Sequence, residues 1–445
     1  MKSANAKGVT LHRNDPGFDQ AVLATSFNSR DPGHRPNVLV QVNDVFDVIA
    51  AVKRAAREHL KVSICSGGHS WAQNHIREGG MLIDASRLQG IEIDAANKRA
   101  IVGPGCGGSV LVGALKKHGL FFPAGHCKGV CLGGYLLQGG FGWNSRALGM
   151  ACESVIGLDV VMADGSLVHA SEEENADIYW AARGAGPGFF GVVVRFHLKL
   201  HDRPRFIGNV TQVYTMSHLE EVFRWADAVG AAVPNTVEFQ LIMSRKALAI
   251  GEPGIEVHAT VMADSRKAAK ADVAFLLDCP LRAKSGLASP LFPAPLKIMY
   301  ALVMTHYPDG MRWGVDNMWT NASVDHLMPG LLKVAATLPP APSHMLWLNW
   351  SPPPSRPSMA YSLEAKTYIA LYGEWKHEAD DPLYADWAAD RVREWDPWSV
   401  GIQLADENLG QRPAPFAAQP SMTRLDQIRS TRDPGGRFQS WMGRS

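Results

Sequence analysis

His69 stands directly after two glycines in Cys65-Ser66-Gly67-Gly68-His69-Ser70-Trp71, at the end of the apolar run Leu60-Lys61-Val62-Ser63-Ile64. A histidine so placed can act as a turn residue, a metal ligand, a base or a covalent anchor. A second stretch sets a cysteine among glycines: Pro123-Ala124-Gly125-His126-Cys127-Lys128-Gly129-Val130-Cys131-Leu132-Gly133-Gly134. It continues Tyr135-Leu136-Leu137-Gln138-Gly139-Gly140-Phe141-Gly142-Trp143. The two Gly-Gly pairs let backbone N–H groups approach a pyrophosphate closely. The spacing is not the G-x-G-x-x-G of a Rossmann dinucleotide site, and no acidic residue stands at the offset that site needs.

These loops need a scaffold. Residues 44–58 place Val45, Val48, Ile49, Val52 and Ala56 on one helical face behind Asp44 as N-cap. Short strands are expected at 38–42, 62–64, 81–86, 91–94 and 99–105, and a second helix at 109–119 ends in glycine. Residues 155–170 read as a hairpin about Asp164-Gly165. Glycine crowds 65–68, 103–108, 125–149 and 184–191, as loops wrapped around one extended ligand would require. Beyond about 204, tryptophan and proline rise. The alternating stretches 236–244, 254–263, 344–350 and 364–375 then predict one antiparallel sheet, with helices at 217–230, 265–277, 323–337 and 382–394. The fold class expected is α+β: a first region of mixed strands and helices, then an antiparallel sheet covered by helices.

A chain of 445 residues suits two or three domains. Its 44 Lys+Arg and 43 Asp+Glu nearly cancel, which argues against nucleic acid or an anionic membrane as partner. No run reaches the roughly 18–20 apolar residues of a membrane span, and the N-terminus lacks a signal-peptide core; a cytoplasmic location is expected. None of the six cysteines forms a C-x-x-C pair, so no metal site is expected from them.

From about Pro36 to the C-terminus the chain resembles flavoproteins of the p-cresol methylhydroxylase and vanillyl-alcohol oxidase type, and among them the berberine-bridge-enzyme-like oxidases. The resemblance rests on six motifs in the family's order, at 66–70, 125–134, 138–150, 160–171, 177–193 and 424–438. It implies FAD bound covalently, with His69 joined to the 8α carbon of the flavin and Cys127 to its C6. Ser66, Gly67, Gly68, Ser70, Gly125, Val130, Gly133, Gly134, Gly139, Gly140, Gly142, Ile156 and Val192 are implied as further cofactor contacts. Ile156 matches a family position near the flavin edge. The implied division is a flavin domain at 1–204 (core about 33–203), a substrate domain at 205–404, and a C-terminal segment, 405–445, returning to the flavin domain.

The reaction implied is hydride transfer from an alcohol or amine carbon of a small molecule to the flavin, with O2 reduced to H2O2. A dehydrogenase using another acceptor, or a flavin-binding scaffold without catalysis, are the alternatives. The base is where the chain departs from its relatives. Many carry Tyr-x-Asn-Tyr-x-Asp ahead of the C-terminal segment, and the matching stretch here is Gly401-Ile402-Gln403-Leu404-Ala405-Asp406, in which only the aspartate remains. The substrate-domain strands offer Glu238, Tyr307, Asp316, His344, Tyr361, Glu364 and Tyr368. Alternation points Tyr361 or Glu238 toward the flavin. The tryptophans at 313, 319, 347 and 350 are expected to pack the sheet.

Overall fold

The computed structural model describes residues 8–444, and their fold is α+β. Three sheets matter to the site. The first has four strands in the order Val9–His12, Val38–Gln41, Met81–Asp84, Val62–Cys65, the last three mutually parallel. The helix Val45–Arg57 covers it, capped by Asp44, whose carboxylate accepts from the N–H groups of Phe46 and Asp47. Val48 and Val52 are fully buried on its inner face. The apolar period and the cap therefore do what the sequence predicts.

The second sheet is antiparallel, in the order Ile91–Asp94, Arg99–Val102, Val192–Lys199, Val155–Val161, Leu167–Ala170. Its last two strands form the hairpin around Gly165, which takes φ +79. The third sheet has nine strands and is antiparallel throughout. At its centre lie Val237–Ser244, His344–Asn349, Thr367–Trp375 and Arg312–Thr320, side by side in that order. The expected strands 254–263 and 236–244 are present as Gly254–Ala263 and Val237–Ser244. Arg312–Thr320 escapes alternation because all nine of its residues are buried, so neither face shows a polar period. The expected helix 382–394 is broken into Asp381–Tyr384 and Trp387–Arg393, and 265–277 into Arg266–Asp272 and Ala274–Leu277.

One apolar core lies under the first two sheets and another under the helices of the third. Between them sits an aromatic layer holding Trp71, Trp313, Trp319, Trp350, Tyr368 and Tyr372. Trp347 packs in the helix-side core instead. All four tryptophans named from the sequence are thus packing residues. The C-terminal helix Gln419–Arg432 returns to the first half of the chain, where Arg432 pairs with Asp177 and Phe438 bridges to Val62.

Candidate active site

A cleft with a cavity of about 290 Å³ runs from the first sheet to the face of the nine-stranded one opposite its helices. Its walls bring together residues far apart in the chain: His69 and Trp71, His126 and Cys127, Tyr307, Tyr368, Tyr372 and Asp406. His69 leaves the strand Val62–Cys65 through Gly67 and Gly68. Gly68 takes φ +68, and a Cβ there would lie 1.9 Å from the carbonyl oxygen of Thr25, so only glycine makes this turn. The imidazole stacks on Phe27 at 4.5 Å. Burial pulls its pKa down to about 4, with Asp309 and the Gly129 backbone opposing, so the ring is neutral at pH 7. Gly129 closes on Nε2, where a Cβ would come within 2.6 Å, while Nδ1 is buried with no hydrogen-bond partner.

Asp406 ends the short turn Leu404–Asp406 and is held on both sides of the peptide. The side-chain amide of Asn317 donates to the carbonyls of Gln403 (3.0 Å) and Asp406 (2.8 Å). The carboxylate accepts three hydrogen bonds: Trp71 Nε1 donates to Oδ1 at 2.6 Å, and the hydroxyls of Tyr368 and Tyr372 both donate to Oδ2, Tyr372 at 3.0 Å. Burial raises the pKa of Asp406 and the three donors pull it back down. Both tyrosines are pushed well above their ordinary value, first by burial and then by the Asp406 charge. They are fixed donors, and the carboxylate is the group that can accept a proton. Cys127 is half-buried, and desolvation pushes its thiol up to about 12, with Asp406 and Glu374 adding to the shift.

The family described as FAD binding domain matches residues 36–171. The chain is 31% identical to the FAD-linked oxidoreductase nodO of Hypoxylon pulicicidum over 420 residues, covering 93% of this chain and 92% of the relative. This chain belongs to the FAD-linked oxidoreductases. They fall within the p-cresol methylhydroxylase and vanillyl-alcohol oxidase superfamily, as the motifs implied. Two solved structures share the fold of this oxidoreductase over nearly its whole length. One is 6-hydroxy-D-nicotine oxidase from Arthrobacter nicotinovorans, with TM-score 0.83, 22% identity and coverage of 99% and 98% of the two chains. The other is BBE-like 1 of Physcomitrella patens, with TM-score 0.84, 18% identity and coverage of 98% and 97%.

Ser66, Gly67, Gly68, Ser70, Gly125, Val130, Gly133 and Gly134 all line the oxidoreductase's cleft. Gly67 and Gly68 are not bare toward the cavity: their missing side chains make room for Cys131 and Thr25 of the protein itself. Gly134 has open space where its Cβ would stand. Gly139, Gly140 and Gly142 lie behind the wall, where their missing side chains admit Tyr361, Ala151 and Tyr135. Val192 sits between two lining residues. Its side chain is fully buried in the core, and the cleft is lined by Gly191 and Val193 on either side, because successive strand residues face opposite ways. Ile156 is half-buried on Val155–Val161 and does not reach the cleft.

The two residues singled out as base are likewise displaced. Tyr361 precedes the strand Thr367–Trp375 and packs behind the wall against Gly139 and Gly184. Glu238 shares a strand face with Gln240 and Ile242, which do line the cleft, but it is covered. Its carboxylate accepts from the Asn144 N–H at 2.5 Å and meets His126 Nε2 at 2.9 Å, so it braces a wall residue. Asp316 is bound to Arg412, Glu364 to Arg356, and His344 to Glu374, all outside the cleft. Tyr307 and Tyr368 do line it. Asp406 and Tyr372 were missed as proton-handling residues. The available signal was that Asp406 alone survives in its motif, while Tyr368 and Tyr372 fall on one face of a strand at even spacing.

Proposed function

We propose that this oxidoreductase oxidises an alcohol or amine carbon of a mainly apolar small molecule, with Asp406 taking the proton. The observation that carries the reading is the Asp406 carboxylate, fixed by Trp71, Tyr368 and Tyr372 in the same cleft as His69 and Cys127. The residues present fit a covalently held FAD: the unpartnered Nδ1 of a neutral His69 is a free nucleophile, and Cys127 supplies a second. Bound there, FAD supplies a two-electron acceptor for the substrate's hydride and passes the electrons to O2, giving H2O2.

The chain does the rest. A carboxylate offers about four acceptor positions, and three of those on Asp406 are taken, leaving one on Oδ1 for a substrate O–H or N–H. The aromatic layer packs behind it, so a substrate O–H or N–H reaches the carboxylate from the cleft side. Ile242, Val303, Leu346 and Leu348 form the wall beyond the tyrosines, with Gln240 and His306 as its polar groups, which suits an apolar skeleton bearing few hydroxyls.

The test is Asp406→Asn. With a panel of aromatic and alicyclic alcohols and amines, the wild type should bleach its flavin anaerobically and release peroxide in air. The variant should keep its flavin but bleach on the order of 10²–10⁴ times more slowly. Equal bleaching rates in the two proteins sink the assignment of Asp406.

A further inference from the structure

On the face of the second sheet away from its core, three side chains from three adjacent strands converge. Asp159 lies on the middle strand, Val155–Val161; His169 is its direct cross-strand partner on Leu167–Ala170. His197 lies on the other neighbour, Val192–Lys199, opposite Gly157. Alternation sends Leu158, Val160, Ala170, Phe196 and Leu198 into the core, so these three face outward together. Asp159 Oδ1 is 2.8 Å from His169 Nδ1 and 3.2 Å from His197 Nε2, and the two imidazoles stand at 88° with centroids 5.1 Å apart. Gly157 lies beneath them, where a Cβ would press to 3.1 Å on the His169 ring.

We propose that Asp159, His169 and His197 form a binding site for a divalent transition-metal ion such as Zn2+. One potential ligand atom from each lies within 4.8 Å of the other two. Two imidazoles and one carboxylate on a hydrogen-bonded sheet make a donor set that suits Zn2+, Ni2+ or Cu2+ over Mg2+ or Ca2+. The ligands occupy one side of the ion, and solvent supplies the remainder. Burial in the core beneath fixes the strands, so the ligands are brought together before the ion arrives.

Arg195 is the competing group. Its guanidinium lies 3.6 Å from Asp159 Oδ2, but the side chain is 58% exposed and free to swing away. None of the three ligands lines the cleft, though Val193 on the strand of His197 does, so the ion would clip the strand that forms part of the cofactor wall. Cysteine spacing gives no hint of such a site, because its ligands are separated by 10 and 28 positions and meet only through sheet pairing.

Untagged flavoprotein, stripped with a chelator, is titrated with Zn2+ by calorimetry and followed by thermal unfolding. One equivalent should bind and raise Tm. His169→Ala and His197→Ala, both near the surface, should each weaken binding at least tenfold and abolish the Tm shift. Arg195→Ala should tighten binding by removing the rival cation, a gain that no loss of folding can imitate. No binding by the wild type, or equal binding by the wild type and both histidine variants, overturns the proposal.

Discussion

The Tyr372 hydroxyl donates to Asp406 Oδ2 at 3.0 Å, and the Tyr368 hydroxyl, four residues back on the same strand, donates to the same oxygen. Two phenols on one carboxylate oxygen leave the other oxygen, bonded only to Trp71, as the reactive one. The carboxylate works only when ionised, and burial raises its pKa above the usual range. The rate constant kcat/KM should therefore rise with pH through the raised Asp406 pKa and level off above it. Removing one donor, as in Tyr372→Phe, makes the charged form less stable and should move that ascending limb to higher pH. A pH–rate profile of the two proteins checks this; an unmoved limb counts against the pairing as a tuning device.

His69 and Cys127 differ in readiness. The imidazole is neutral at pH 7, whereas the thiol, pushed up to about 12, must lose a proton before it can attack. Cys127→Ala should still carry flavin that stays with the acid-precipitated protein. His69→Ala should retain a smaller fraction, through Cys127 alone, and the double variant none. Yellow supernatant from Cys127→Ala would remove His69 as an anchor.

The parts of the site legible in the sequence are those written in one continuous stretch. His69 and Cys127 sit among glycines whose backbone demands are local, and Gly68 shows the demand directly. Asp406 is different, since Trp71, its indole donor, lies 335 residues away. Neither residue carries a pattern that announces the other, and only the fold joins them. Where sequence and structure differ, they differ in phase or in layer. Val192 is one residue from the lining Val193, and Glu238 is on the right strand face but under a loop whose position no periodicity encodes. Tyr361 precedes the strand Thr367–Trp375, so strand alternation does not set its direction.

Arg146 ties the two halves of the cleft together. From the short helix Ser145–Leu148 its guanidinium donates to the carbonyls of Val233, Pro234, Val237 and Trp350 at 2.6–3.1 Å, all in the nine-stranded sheet region. Burial lowers its pKa to about 10, with Glu238 opposing, so it remains charged at neutral pH. Arg146→Ala strands buried carbonyls and should cost about 3 kcal/mol or more. Arg146→Lys should rescue little, because a lysine cannot span four acceptors with one nitrogen. Urea unfolding measures both.

His75 and His344, two buried imidazoles outside the proposed flavin bonds, should each weaken the fold in acid. Burial lowers their pKa values to about 4 and about 3, His75 also touching Thr25 Oγ1 at 3.2 Å and His344 being pushed further down by His306. Both are neutral in the folded chain at pH 7, and both titrate near 6.5 once unfolded. Above about pH 6.5 neither state binds the proton and nothing is lost. As the pH falls from 6.5 toward 4, the unfolded chain takes up protons that the folded chain refuses, and each histidine withdraws on the order of 3 kcal/mol. Buried carboxyls oppose them, since burial raises Asp316, Glu374, Asp406 and Glu407, the last to about 7, so the test is a difference: His75→Gln, which cannot titrate, should lose less stability between pH 7 and pH 5 than the wild type, read from urea midpoints. Equal losses in the two proteins would mean that the His75 ring is solvated in the native state.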